Sequence, residues 1–384
     1  AHRLYAQIFQ IMIRQGVKNM MEKTDFFLKL DSPRVWRTYT GGALIDMLHG
    51  RKKGEISHFP EEWIMSVVAA RNAGREDIKE EGMSRLPEKS DMLLKELIES
   101  NPSSYLGEKH VEKYGSHTGV LVKLIDSSER LTVQVHPDRE LALKLFGSRF
   151  GKTESWHILD TRESGGRPAC IYIGFKPGIT RECWKTLFDK QDIPGMLEWM
   201  HCIEVHKGDT VLIQGGVPHA IGAGCFLAEI QEPTDYTVRI ERITPSGLKV
   251  ADTMCHQGLG FQKMFDCFHY EGVTQDEAVK RWFIRPAMLR EQEGGSVISV
   301  LGYDATAFFS MEKIEARAGM DMEKESVFSG IYILEGQGTL SMNGKRRKTK
   351  CGEQYFIPAN AGEWHVEPDR DDRLIILRFR GPQI

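Results

Sequence analysis

Gly208-Asp209-Thr210-Val211-Leu212-Ile213 runs through a Gly215-Gly216-Val217-Pro218 turn to His219, and the chain repeats this pattern far downstream. Gly352-Glu353-Gln354-Tyr355-Phe356-Ile357-Pro358 leads through a second glycine turn to His365. In both places a glycine and an acidic residue open a short run rich in β-branched or aromatic side chains, which suit a pleated, half-buried surface. A unit that recurs once in each half of a chain marks internal duplication. The reading is two related β-domains.

Outward from these anchors the chain reads as short strands broken by polar turns. The first half offers 64–69, 119–125, 131–135, 156–159, 171–175, 210–213 and 226–231. The second offers 296–301, 307–314, 326–334, 338–342, 354–357 and 373–379. Such spacing predicts a mainly β protein built as a sandwich or barrel. Helical spacing interrupts it at 91–100, 139–145 and 181–200, the last split by Pro194-Gly195. Another helical stretch, 274–283, links the halves. Residues 1–24 also read as helix. Their apolar stretch from Leu4 to Ile13 is broken by Gln7 and Gln10 and lacks a small-residue cleavage site, so it is not read as a leader peptide. The expected division is an N-terminal helix at 1–24, a catalytic β-domain with helical insertions at 25–272, a linker at 273–294, and a C-terminal β-domain without metal at 295–384.

With 384 residues, two domains are the prior. The hydrophobic share of 41% and charged share of 27% are those of a globular chain, and a net charge of −3 gives no sign of a nucleic-acid partner. The basic run Lys345-Arg346-Arg347-Lys348 follows Asn343-Gly344, a hairpin signal, and reads as a solvated hairpin arm. The 7 cysteines are scattered with no C-x-x-C pair, which argues against a disulfide framework and for a reducing, cytoplasmic setting. No stretch approaches the roughly 20 apolar residues of a membrane span. His157, His201, His206, His256 and His269 have no ligand-like companions in the sequence. Trp184, Trp199 and Trp282 read as core filling.

Three segments carry chemistry. In Leu131-Thr132-Val133-Gln134-Val135-His136-Pro137, alternation along a strand puts Gln134 and His136 on one face, and Pro137 ends the ladder. In Gly151-Lys152-Thr153-Glu154, Lys152 and Glu154 share a face if extended. The turn at 215–218 presents His219. Gln134, His136, Glu154 and His219 offer two imidazoles, an amide oxygen and a carboxylate, a set that suits a divalent metal such as zinc. It leaves Zn²⁺ with one residual positive charge, able to polarise a carbonyl and hold a developing enediolate.

Together Gln134-Val135-His136-Pro137, Gly151-Lys152-Thr153-Glu154, Pro218-His219-Ala220-Ile221-Gly222 and Glu229-Ile230-Gln231 resemble, in order and spacing, the motifs of the type I phosphomannose isomerases. That family is a zinc-dependent cupin group that interconverts mannose 6-phosphate and fructose 6-phosphate. The resemblance is strong over about 120–240, weaker over 30–75 and only architectural after 295. It implies two cupin domains, each a jelly-roll β-barrel. It also implies one zinc per chain on Gln134, His136, Glu154 and His219, and a small sugar phosphate as partner. Lys123 falls on a lysine of the family's active site, Lys152 on that of its G-K-x-E segment, and Asp235 and Arg239 on its S-D-x-x-Y-R segment. Glu61, two before Trp63, matches more loosely the glutamate of its E-S-W segment. Lys123, Lys152 and Arg239 then crowd three cations beside the metal, which costs Coulomb energy unless anions visit. A phosphate and an enediolate are such anions.

Lys123, Lys152, Asp235, Glu61 and zinc-bound water remain candidate acid–base groups for proton transfer through a cis-enediol, unranked by the sequence. Besides Glu232-Pro233, which replaces a more polar stretch before Asp235, two stretches depart from the family. Val238-Arg239-Ile240-Glu241-Arg242-Ile243-Thr244-Pro245 replaces its tryptophan-containing run, and Trp36-Arg37-Thr38-Tyr39-Thr40-Gly41-Gly42 is longer than its W-G-G. Both lie beside the expected sugar pocket. They keep open an isomerase of an unphosphorylated or different sugar, or a non-catalytic sugar-binding cupin. The C-terminal half offers His365 alone, read as a buried structural residue beside Trp364.

Overall fold

A computed structural model describes residues 27–370 and 372–384. The helix expected at 1–24 lies outside these residues. Among the described residues no helix is long and apolar enough to cross a membrane. The described residues are mainly strand, arranged in two seven-stranded sheets, a five-stranded, a four-stranded and a two-stranded sheet.

The first large sheet runs in the order Phe283–Ile284, Thr210–Ile213, Glu154–Thr161, Cys225–Gln231, Leu121–Asp126, Glu61–Ile64 and Arg34–Val35. It faces the sheet Met200–Glu204, Cys170–Phe175, His219–Ile221, Gln134–Val135 and Val238–Arg239. Trp156, Ile158, Val211 and Leu227 from one sheet meet Ile171, Ile173 and Ile221 from the other in one core. The second large sheet runs Leu28–Leu30, Gln354–Ile357, Ser329–Glu335, Leu374–Arg380, Ser310–Ala316, Gly295–Leu301 and Ala287–Gln292. Its companion is Met320–Met322, Trp364–Pro368, Gln337–Met342 and Lys345–Lys350, and Ile331, Tyr355 and Ile376 pack there against Met322, Leu340 and Val366. The two large sheets then pack back to back, with Val122, Leu124 and Ile230 against Tyr332, Phe356 and Phe379.

Strand for strand the two sheet pairs follow one order, and the two segments that disclosed the repeat, Thr210–Ile213 and Gln354–Ile357, occupy matching places. The edge strands are exchanged. Leu28–Leu30 pairs with Gln354–Ile357, while Phe283–Ile284 pairs with Thr210–Ile213. The stretch expected as a linker holds the helix Gln275–Trp282 and then strands that belong to both large sheets.

Several local expectations change. The strand expected at 64–69 is Glu61–Ile64, and it stops because Met65 takes a left-handed backbone, φ 44°. Of 131–135 only Gln134–Val135 is laddered. The 181–200 stretch does split, but at Gln191-Asp192. Gln191 ends Arg181–Lys190 at φ 51°, and Pro194 sits in the first turn of Ile193–Glu198, where its missing N–H costs nothing. Asn343 and Gly344, at φ 50° and 74°, make the tight turn between Gln337–Met342 and Lys345–Lys350.

Candidate metal centre and active site

Three strands build the centre. His219 opposes Gln134 across the small sheet, and Glu154 begins the third strand of the large sheet facing them. His136 follows Gln134 at the end of its short strand. His136 Nδ1 lies 2.9 Å from the Tyr236 carbonyl oxygen, and His219 Nδ1 lies 2.9 Å from that of Val217. A carbonyl only accepts, so each Nδ1 carries the proton and donates it, leaving each Nε2 a bare lone pair. The two Nε2 atoms stand 3.2 Å apart. Glu154 adds Oε2 at 3.0 Å from His136 Nε2 and Oε1 at 3.2 Å from His219 Nε2. That Oε1 is buried without a hydrogen-bond partner.

Acceptors facing acceptors in a dry site repel unless a cation joins them. The only group of three or more His, Cys, Asp or Glu ligand atoms so converged among the described residues is this one, within 4.8 Å. The Lys152 ammonium takes part of that role, 2.7 Å from His136 Nε2 and 2.8 Å from Glu154 Oε2. Burial and then Lys152 push the His136 imidazole down to about 3, so it is neutral at pH 7 and able to ligate. Burial opposes ionisation of Glu154, yet Lys152 holds its carboxyl well below the usual range. Gln134 Nε2 lies 3.3 Å from His219 Nε2, and half a turn of the amide would offer Oε1 instead. The donor set fits a divalent metal.

All the other expected site residues join Gln134 and Lys152 in lining one pocket: Glu61, Lys123, Asp235 and Arg239. Lys123 Nζ donates to Glu229 Oε1 at 2.8 Å and to Gln231 Oε1 at 2.7 Å. Burial disfavours its charge, but Glu229 and Glu61 raise it above the usual lysine range. Glu61 accepts from Tyr39 Oη at 2.8 Å and Trp63 Nε1 at 2.8 Å, and pairs with Arg37 Nε at 3.0 Å. Despite burial, Arg37 and Lys123 hold Glu61 below the ordinary carboxylate range, and burial of Asp235 is likewise outweighed by Arg37, Lys123 and Lys152.

This corrects the charge argument made from sequence. Two of the three cations already have carboxylate partners, Lys123 with Glu229 and Lys152 with Glu154. Arg239 differs. Its Nη1 donates to the carbonyls of Thr237 and Met254, each at 3.1 Å, and among the described residues no carboxylate ion-pairs with it within 4.0 Å.

Sequence reasoning passed over Arg37, Tyr39 and Glu229 as site residues. Arg37 is 7% exposed and lies 3.7 Å from Asp235 as well as 3.0 Å from Glu61. The signal is present in the Trp36–Gly42 segment, longer than the family's W-G-G, which carries both Arg37 and Tyr39. Glu229 stood in the quoted Glu229-Ile230-Gln231 strand, two residues from Gln231 and so on its face. Thr244 and Pro245, from the other departing stretch, also line the pocket.

The expected counterpart of His219 is corrected too. Along Trp364–Pro368, Trp364 and Val366 are buried while His365 points outward. Its Nδ1 meets Asp321 at 2.7 Å and its Nε2 meets Glu367 at 3.1 Å, on opposite edges of the ring. Facing inward opposite Trp364 is Met322, the place Gln134 holds opposite His219.

Residues 79–151 match the family model "Phosphomannose isomerase type I, catalytic domain", and residues 300–371 match "Mannose-6-phosphate isomerase, cupin domain". The "Probable mannose-6-phosphate isomerase GmuF" of Bacillus subtilis is 27% identical over 270 residues, 67% of this chain and 76% of that protein. The mannose-6-phosphate isomerase of Streptococcus mutans is 25% identical over 279 residues, 70% of this chain and 78% of that one. In structure, the mannose 6-phosphate isomerase from Bacillus subtilis superposes with a TM-score of 0.70 at 20% identity, over 92% of this chain and 99% of the other. In its paired sheets, its converged histidines and its match to both family models, the chain is similar to the type I phosphomannose isomerases.

Proposed function

We propose that this isomerase interconverts mannose 6-phosphate and fructose 6-phosphate through a cis-enediol, using one zinc held by Gln134, His136, Glu154 and His219 in the first of two cupin domains. The observation that carries the reading is the pair of Nε2 lone pairs 3.2 Å apart beside an unpartnered carboxylate oxygen, at the wall of a pocket lined by Lys123, Lys152 and Arg239. When bound, zinc supplies a Lewis acid that polarises the substrate carbonyl and steadies the enediolate.

The chain's own groups divide the remaining work. Glu61 accepts from Tyr39 and Trp63 and is ion-paired with Arg37, so its lone pairs are committed and it serves as a fixed anion. Lys123 is held as an ammonium by Glu229 and Gln231 and can orient a substrate oxygen, but it cannot take a proton. Asp235 is less engaged. Its contacts are Arg37 at 3.7 Å and the Arg71 N–H at 3.4 Å. Being ionised and facing the pocket, it is the carboxylate free to accept the C1 or C2 proton. Arg239 stands beside it to balance the charge that develops.

A coupled assay with mannose 6-phosphate, run after chelation and again after zinc is restored, tests this reading. Turnover that survives full metal removal would rule it out. The same assay with free mannose and glucose 6-phosphate separates it from an isomerase of another sugar, and no turnover of any sugar would leave a binding protein.

A further inference from the structure

The 7 cysteines lie scattered along the chain, yet folding gathers three of them at one edge of the small sheet of the first pair. Met200–Glu204 is the edge strand there. It pairs with Cys170–Phe175 and, among the described residues, with no other strand. The register sets Cys202 opposite Tyr172 and Glu204 opposite Cys170. Ile171 and Ile203, opposite each other, point into the core, so Cys170, Tyr172, Cys202 and Glu204 share the outer face. On that face Cys202 lies diagonal to Cys170, a placement at which cross-strand side chains can meet. Cys225 closes the group, its Sγ 3.6 Å from the Cys170 carbonyl oxygen. His219 opposes Ile173 and so shares the inner face, which puts the Cys170 and Cys202 sulfurs on the opposite side of the sheet from the metal centre.

The three thiols are not alike. Of the 7 cysteines, all within the described residues, Cys202 alone is exposed, while Cys170 is half-buried and Cys225 buried. The Cys170 thiol and the Tyr172 hydroxyl both hydrogen-bond to the Cys202 sulfur, and Lys176 and Arg167 stand near it. Glu204, the acid on the same face, meets His206 Nε2 at 3.2 Å. Two donors and two cations favour a thiolate. The bond from Cys170, with that from Tyr172, outweighs the burial of Cys202 and lowers its thiol below the ordinary range. The same bond is the largest cause that raises Cys170. One sulfur is made a nucleophile, and the other keeps its proton beside it. Cys351, by contrast, commits its S–H to the Leu334 carbonyl at 3.0 Å, and burial raises its thiol.

We propose that Cys202 and Cys170 form an oxidation site for small peroxides, with Cys202 the attacking sulfur and Cys170 the resolving one. The Cys202 thiolate attacks one oxygen of hydrogen peroxide. An S–O bond forms, the O–O bond breaks, and the hydroxide that leaves takes up the proton Cys202 had released. The Cys170 sulfur then attacks the sulfenic sulfur. An S–S bond forms, the S–O bond breaks, and the second hydroxide leaves with the Cys170 proton as water. The two sulfurs together lose two electrons and the peroxide gains them. Diagonal neighbours stand about 7–8 Å apart at Cα, and a disulfide spans up to about 7 Å. An edge strand held by one ladder can close that gap.

The test treats the folded protein with a small excess of hydrogen peroxide and maps its peptides without reduction. A Cys170–Cys202 disulfide that dithiothreitol reverses is expected. It should be absent from C202S, and in C170A dimedone should instead trap a sulfenic acid on Cys202. Both positions lie on an outer face, and an unchanged far-UV spectrum checks that each variant folds. Iodoacetamide supplies a second readout. At pH 7 Cys202 should be alkylated about threefold or more faster in wild type than in C170A, because its thiolate fraction gains more than its nucleophilicity loses. Cys202 left reduced by peroxide, or carried to sulfinic acid with no disulfide, overturns the site. Equal alkylation rates in wild type and C170A overturn the activating part given to Cys170. Neither readout depends on isomerase turnover.

Discussion

His136 and His219 each donate Nδ1–H to a backbone carbonyl, and that pair of bonds aims both Nε2 atoms at one point. His136→Ala or His219→Ala should therefore lose zinc and activity together. Elemental analysis that still finds one zinc per chain in either variant would defeat the ligand assignment. The candidate donors were legible in the sequence because strand alternation and a proline fix where Gln134, His136 and Glu154 point. Arg37 was not, because its worth comes from partners far along the chain, Glu61 and Asp235. Arg37 holds both carboxylates below their usual range. Removing the cation raises their folded pKa values, so in Arg37→Gln the acid limb of kcat/KM should move to higher pH, with Arg37→Lys partly restoring it. The cations facing Asp235 from other elements, Lys123, Lys152 and Arg239, remain, so the shift is expected to be partial. An acid limb that does not move would show that Arg37 has no hold on the working carboxylate.

At the scale of strands, the repeat was readable but its facing was not. Aligning Gly208–His219 with Gly352–His365 matches the strands correctly and the histidines wrongly, since a one-residue slip turns a side chain to the other face. Burial decides: Trp364 is 5% exposed, and His365 pairs with Asp321 and Glu367 outside. The inward places of Gln134 and His219 are thus filled by Met322 and Trp364, which offer no zinc ligands of the usual kind. The second sheet pair buries Glu312 with Arg378 and Arg380, Arg380 Nη1 at 2.7 Å. Arg378 opposes Glu312 across the sheet as Glu229 opposes Lys123, with the charges reversed. Glu312→Gln leaves Arg378 and Arg380 sharing Glu325 alone and removes charge-assisted hydrogen bonds, each of which contributes about 1.5–3 kcal/mol, so stability in denaturant unfolding should fall by about that much. Burial disfavours ionised Glu312, but the two arginines hold its folded pKa below the unfolded value. Its stabilisation is complete above the unfolded glutamate pKa and is lost as pH falls through the folded one. Wild type should lose stability over that acidic window more steeply than the variant, and parallel stability–pH curves would contradict this.

Over the whole molecule the halves are locked by exchange and by polar ties. Leu28–Leu30 completes the edge beside Gln354–Ile357, and Phe27 packs 5.5 Å from Trp364. Gln354, fully buried, accepts from the Met65 N–H at 3.0 Å and donates to the Trp63 carbonyl at 3.1 Å. Tyr332 Oη donates to Glu62 at 2.9 Å. Along Glu61–Ile64, alternate residues serve two ends: Glu61 and Trp63 the pocket, Glu62 the interface. A chain begun at residue 31 should lose the edge strand and Phe27 together. A large aromatic lost from a core costs about 3–5 kcal/mol. Its thermal midpoint should fall by several degrees, and a midpoint equal to wild type would show that the edge strand contributes nothing.

By itself the sequence determined what short-range physics determines. Runs rich in β-branched and aromatic residues marked the strands near 154–161, 170–175 and 225–231, the Asn343-Gly344 turn marked its hairpin, and four spaced motifs marked the donor types at the candidate metal centre. What only the tertiary structure decided depends on which surfaces meet. The exchange of Leu28–Leu30 and Phe283–Ile284 between sheets leaves no local trace, because a strand's partner is chosen by the edge it finds. The outward turn of His365, the bracket of Arg37 on Glu61 and Asp235, and the pocket shared by Asp235 and Arg239 arise the same way. Each joins residues far apart in the chain, and their mutual burial and charge exist only once the sheets have packed.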